Sequence, residues 1–243
     1  MHECNDGCDI SRRSMLTIGA AAGIVGLAGI GIPTEARAQN WWPHRRDELT
    51  PDQILKEIMD GNKRFTTPNG MYKRDWAKER GNTAAKQYPA AAFLTCIDSR
   101  TPVEVLCDLG IGDAFNARVA GNAANDDILG SLEFAIHLEG AKVLMVMGHT
   151  NCGAIRGAID NAWLGNLTLL LARFRNTLEE TDYRGDRTSQ NPEFVNLVAT
   201  NHVKATVALI RERSPVIARC ERDGKVKITG AMYNLMTGVI SPV

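Results

Sequence analysis

The 243-residue sequence has no excess of either charge, with 28 acidic side chains against 28 basic ones. It also lacks any Lys/Arg run and any aromatic stripe interleaved with basic residues, which excludes a nucleic-acid partner. No internal repeat and no low-complexity tract is present, so repeat arrays are set aside. Apolar runs approaching the ~20 residues that span a bilayer are limited to one, at 16–32. What remains is an ordinary globular composition, 44% hydrophobic and 23% charged, in a chain long enough for one good-sized domain or two small ones.

The apolar run at 16–32 follows Arg12-Arg13 and is diluted by Gly19, Gly23, Gly26, Gly29 and Gly31; Ala36-Arg37-Ala38 then forms an A-x-A cleavage signal. Residues 1–38 resemble a twin-arginine signal peptide, although Glu3, Asp6 and Asp9 precede the arginines. The alternative is an uncleaved membrane anchor. Cleavage starts the mature chain at Gln39 and implies a periplasmic protein with no stable membrane association. It removes three basic and four acidic residues, so 25 remain against 24 and the charge is +1. Cys4 and Cys8 leave with the leader, and the mature chain keeps Cys96, Cys107, Cys152 and Cys220. An even number of cysteines in an exported protein usually means disulfides. A core of this size needs no staples, however, and folded export lets thiolates take a metal in the cytosol first.

Residues 39–88 read as an arm. Thr50-Pro51-Asp52-Gln53 is a capping box with Pro at N1, and Ile54, Leu55, Ile58 and Met59 recur at helical spacing, which predicts a helix over about 51–60. Its apolar face, with Trp41, Trp42 and Trp76, packs either on its own domain or on a second subunit. From residue 89 the pattern alternates: strands at 90–96, 114–120 and 142–148, helices at 102–109, 126–138 and 153–163. That alternation predicts an α/β fold, a mostly parallel sheet flanked by helices. Helices at 167–178 and 194–213, a polar loop at 181–191 and a last strand at 226–233 follow.

In such sheets ligands sit beyond the carboxyl ends of the strands, where strand order reverses. If the order begins 2-1-3, the segment CIDSR (96–100) meets GHTNCGA (148–154) at one crevice. Alternation along an extended chain puts Cys96, Asp98 and Arg100 on one side. His149 and Cys152, three apart across a strand end and a helical turn, converge on one point, and the helix N-terminus favours the Cys152 thiolate. Three ligands of Cys₂His type with an open position is the pattern of a catalytic zinc, Asp98 being available for the fourth position or as a proton acceptor held by Arg100. Two thiolates cancel the charge of Zn²⁺, so water there is less acidic than at a tris-histidine site, where its pKa is about 7.

CIDSR and GHTNCGA, with RVAGN (118–122), GSLEFA (130–135) and GAMYNLMTG (230–238), resemble the β-class carbonic anhydrases over roughly residues 50–240. The resemblance implies Zn²⁺, one per subunit, on Cys96, His149 and Cys152, with Asp98 as an occasional further ligand and Asp98–Arg100 as the catalytic dyad. It also implies a homodimer or higher homo-oligomer wrapped by its arms, and the reaction CO₂ + H₂O ⇌ HCO₃⁻ + H⁺. Gln87 matches a glutamine that reaches substrate from the neighbouring subunit, and the Gly153 N–H is placed to hold a product oxygen. Arg118 and Tyr233 match two members of a second bicarbonate site in part of the family, but Phe93 replaces its tryptophan and has no N–H to donate. This predicts a site without that bicarbonate lock, Asp98 paired to Arg100.

Cys107, Cys220, His137 and His202 read as structural residues, with a Cys107–Cys220 disulfide as the alternative for the first two. Two rival functions stand beside CO₂ hydration: a zinc hydrolase of carbonyl sulfide or carbon disulfide, and a non-catalytic zinc or redox protein. Structural zinc needs neither Asp98 nor Arg100, which argues against the second.

Overall fold

The computed structural model describes residues 43–243; the leader at 1–38, with Trp41 and Trp42, lies outside the described residues. An N-terminal group of helices comes first: α1 (Pro43–Glu48), α2 (Pro51–Phe65) and α3 (Trp76–Thr83). The capping box starts α2 as expected, the Thr50 hydroxyl accepting from the Gln53 N–H while the Gln53 side chain accepts from the Thr50 N–H. The helix runs five residues further than its periodicity suggested. Its apolar side, Ile54 and Ile58, is buried with Phe93, Val143 and Met145, so α2 packs on its own chain's sheet.

Then come β1 (Ala91–Thr95), α4 (Val103–Leu106), β2 (Ala114–Arg118), α5 (Asp126–Glu133) and β3 (Val143–His149). After them lie α6 (Gly153–Ile159), α7 (Gly165–Leu171), α8 (Arg175–Glu180), α9 (Pro192–Arg213), α10 (Pro215–Arg222), β4 (Lys227–Tyr233) and β5 (Ile240–Pro242). The strand order is β2-β1-β3-β4-β5, parallel except for the β4–β5 pair. Every residue of β1 and β3 is buried, as uninterrupted apolar strands covered on both faces must be. One face carries α2 and α4 over Phe93, Met145 and Met147; the other carries α5, α9 and α10 over Leu94, Leu144 and Val146.

Several sequence expectations need correcting. The helix expected over 102–109 is only Val103–Leu106, because Asp108 turns the chain at φ 51°. Asp126–Glu133 is α-helical but continues as a wider π turn, Phe134–Leu138. The helix starting at 153 stops at Ile159, and the one expected over 167–178 is broken by a tighter turn at Ala172–Phe174. Four elements lie outside these expectations: α1, α3 and the antiparallel edge strand β5, which carry too little periodicity, and α10, which follows directly on α9. The four cysteines among the described residues are free; Cys107 packs with α2 and α4 and Cys220 lies on the opposite face of the sheet, which rules out a disulfide between them. Burial pushes the Cys107 thiol up to about 12, in keeping with a core residue.

Candidate metal centre

Strand β1 ends at Thr95 and β3 at His149; pairing side by side in parallel, they deliver Cys96 and His149 to one end of the sheet. Cys152 is the N-cap of α6, three residues on. The ligating atoms of Cys96, His149 and Cys152 all lie within 4.8 Å of one another, and the two sulfurs are 4.0 Å apart. All three residues are buried. His149 Nδ1 faces the Thr150 carbonyl at 2.9 Å, which fixes the ring with Nε2 turned inward. Nε2 is buried and has no hydrogen-bond partner.

That set has the chemistry of a cation site. An unpaired buried imidazole nitrogen costs free energy unless something accepts its lone pair. Two thiolates cannot be buried together without a positive charge. Accordingly the thiols share what stabilisation there is: Cys96 is driven down, by the Cys152 thiol first and then by His149 and the N–H groups of Gly121 and Asp98. Those amides lie 3.2 and 3.4 Å from its sulfur. Cys152 is driven up by the Cys96 thiolate and by burial; amides of α6, from Ile155 and Ala154, pull the other way and lose. The expected thiolate-stabilising helix N-terminus is therefore real but outweighed at Cys152 until a cation replaces the proton. Softness and geometry suit a borderline metal such as zinc.

Beside this set stands Asp98. Arg100 takes both of its oxygens, Nε to Oδ1 at 2.9 Å and Nη2 to Oδ2 at 2.7 Å, and adds its backbone N–H to Oδ1 at 3.0 Å. The guanidinium holds the carboxyl well below the usual carboxylate range. Asp98 Oδ2 lies 3.9 Å from the orphaned His149 Nε2. Gly153 opens α6 at the surface, with nothing within 4 Å of where a side chain would project. Gln87 is exposed and precedes β1, whereas Cys96 follows it. Five extended residues at about 3.3 Å each keep it from its own chain's site.

Of the groups that hold the two loops, sequence reasoning singled out Arg118 for a different role and missed Thr101, Thr150 and Asn196. Arg118 donates from Nε to the Cys96 carbonyl at 3.0 Å and from Nη2 to the Asp98 carbonyl, and Thr101 Oγ1 donates to the same two carbonyls. Asn151 stands at φ 55° in the 149–152 loop, and its N–H donates to Asn196 Oδ1 of α9 at 2.9 Å. Thr150 takes the Tyr233 carbonyl with its N–H and accepts from the Leu235 N–H. Phe93 is fully buried beneath α2 and Tyr233 nearly so.

Comparison with known proteins agrees with this geometry. The family model for carbonic anhydrase matches residues 91–240. The chain is similar to carbonic anhydrase 2 of Mycobacterium tuberculosis, 32% identical over 77% of this chain and 90% of that one. Similarity to the carbonic anhydrase of Mycolicibacterium smegmatis is 31% over 77% and 91%. Among solved structures, the β-carbonic anhydrase CafA of Aspergillus fumigatus superposes with a TM-score of 0.60 at 24% identity, covering 69% of this chain and 85% of that one. The Coccomyxa β-carbonic anhydrase gives 0.61 at 22% identity, covering 69% and 77%. The chain belongs to the carbonic anhydrase family and has the fold of its β-class members.

Proposed function

We propose that the protein catalyses CO₂ + H₂O ⇌ HCO₃⁻ + H⁺ with one zinc ion held by Cys96, His149 and Cys152. The observation that carries this reading is the Asp98–Arg100 pair poised 3.9 Å from the unpartnered His149 Nε2, since a purely structural ion needs no carboxylate beside it. Zinc, when bound, supplies Lewis acidity that lowers the pKa of water at the open position. The protein's own part is orientation and proton handling. Asp98, kept ionised by Arg100, accepts a hydrogen bond from the reacting water through Oδ2. The Gly153 N–H offers a donor to an oxygen of bicarbonate. The proton leaves to solvent past Asp98.

The same reading keeps Asp98 on Arg100 and off the metal near neutral pH, without a second bicarbonate as a lock. Two observations support it: Phe93 has no donor, and the Arg118 guanidinium is already committed to the carbonyls of Cys96 and Asp98. Activity then rises smoothly with pH, and a crystal structure at about pH 8, above the ~7 of favourable zinc sites, shows Asp98 still paired with Arg100. Asp98 on the metal there overturns this part.

We further propose that residues 1–38 are a twin-arginine leader, that 39–88 form an arm and 89–243 the catalytic domain, and that the mature protein is a periplasmic homodimer or higher homo-oligomer. Arg12-Arg13 and Ala36-Arg37-Ala38 support the first. Exposed Ile97 and Trp76, 64% and 53% accessible, support association, with the partner's Gln87 reaching the site. N-terminal sequencing of the exported protein beginning elsewhere than Gln39 removes the leader assignment. Stopped-flow CO₂ hydration beside a carbonyl sulfide assay tests the activity: turnover of carbonyl sulfide alone, or of neither, overturns the reading.

A further inference from the structure

The Gly121 N–H that reaches the Cys96 sulfur is held from outside the ligand set. Gly121 stands at φ 65°, in the left-handed region that glycine tolerates. A Cβ there would lie 2.5 Å from Phe174 Cζ and 3.2 Å from the Ala154 Cβ, so the bare position is what lets the phenyl ring close on the backbone. Phe174 is fully buried in the Ala172–Phe174 turn, within the same apolar cluster as Cys96 and Cys152. Its ring meets that of His202 from α9 edge to face, centroids 4.5 Å apart at 69°. His202 is fixed at both ring nitrogens, Nδ1 lying 3.4 Å from Thr177 Oγ1 and Nε2 3.3 Å from Thr206 Oγ1. A line of contacts therefore runs from His202 through Phe174 and Gly121 to a sulfur ligand.

We infer that Phe174, braced by His202, is a positioning residue for Cys96: by pressing on Gly121 it keeps an N–H on the sulfur and so sets how strongly that sulfur donates to the metal. This rests on the metal-centre reading above. A hydrogen bond to a thiolate withdraws electron density from it and fixes its direction. Leucine at 174 fills much of the space without a flat ring, so Gly121 gains room to turn away. The sulfur then becomes a stronger donor but a less well oriented one.

Two readouts test this besides turnover: the sulfur-to-cobalt charge-transfer band of the Co(II)-substituted protein, and the rate of zinc loss to a chromogenic chelator. Phe174→Leu moves the band to lower energy and releases zinc about tenfold faster, the lower end of what such supporting contacts contribute. His202→Leu moves both in the same direction by less, and reads the same contact if the first variant does not fold. Phe194→Leu, a similar loss of volume in the same cluster, lowers stability and leaves the band in place. An unmoved band and release rate in a folded Phe174→Leu or His202→Leu protein overturns the inference, as does an equal shift in Phe194→Leu. Failure of the parent protein to take up Co(II) overturns the metal-centre reading instead.

Discussion

The two ends of the parallel sheet bury polar groups in opposite ways. At the amino end, where the chain enters β2, the side chains of Asp108, Arg74 and Glu79 are 5% exposed or less and are matched among themselves. Arg64 Nε donates to Asp108 Oδ2 at 2.6 Å, Arg74 Nη1 to Glu79 Oε1 at 3.0 Å, and the Gly110 and Ile111 amides go to Asp113 and Glu79. Even the two atoms left over there, Arg74 Nε and Asp108 Oδ1, face each other at 3.8 Å. At the carboxyl end two thiols and an imidazole nitrogen converge, and the nitrogen has no hydrogen-bond partner. A closed network supplies structure, and an incomplete one specifies what must be added to it.

The sharpest break in this contrast is Cys152→Ala, which leaves two protein ligands where a catalytic zinc needs three. The variant should purify without zinc and without hydration activity, and a full equivalent of zinc by elemental analysis would show the ligand set to be wrong. At the other end Asp108→Ala strands buried guanidinium charge and should cost about 3–5 kcal/mol of stability. Urea denaturation measures this, while the folded fraction keeps its zinc. If instead it loses zinc at unchanged stability, the division of labour between the ends fails.

Arg100→Ala lies between these cases. It should retain zinc and lose about 100-fold in hydration rate, the scale of a misplaced proton-handling group, because Asp98 is freed to occupy the open position. Normal rates would remove the pair from the mechanism. The same variant tests the pH behaviour of Asp98. A carboxylate whose pKa is lowered on folding adds stability above its unfolded value and loses it as pH falls through the folded one. In the zinc-free proteins its ¹³C carboxyl resonance should thus titrate below the ordinary range in the parent and move back towards it in Arg100→Ala. The smallest effect concerns His202, which burial lowers from 6.5 to about 4. The unfolded chain takes up its proton first, so stability present above pH 6.5 drains away towards pH 4, by at most about 1.4 kcal/mol per pH unit. His202→Leu should flatten that slope in thermal melts, and an unchanged slope would assign it to other groups.

Much of the carboxyl end is legible in the sequence because its signals are local. Apolar runs give β1 and β3, Thr50-Pro51 gives the start of α2, and C-x-D-x-R and H-x-x-C give the side chains that meet. The strand order 2-1-3, taken as the condition for the two segments to meet, is what the sheet shows. Supporting contacts are a different matter. Asn196 serves Asn151 across 45 positions and Arg118 serves Cys96 across 22, and an asparagine or arginine in an amphipathic segment looks the same whether or not it does so. The amino-end network escaped notice for the same reason, Arg64 and Asp108 being 44 apart. Ser214-Pro215 is a fair local start signal for α10, with Ser214 Oγ accepting from the Ile217 N–H, yet it was hidden by the helix it follows directly.

The two sulfur ligands stand 56 positions apart in the chain. An ion joining them closes that loop as a covalent cross-link would, and on the chain-entropy account of cross-links a loop of this length is worth about 4 kcal/mol against the unfolded state. The strands that bring Cys96 and Cys152 together would thus be held together by the ion proposed there, so the holoprotein should resist unfolding at its most central strands, and stripping the ion should be felt there first.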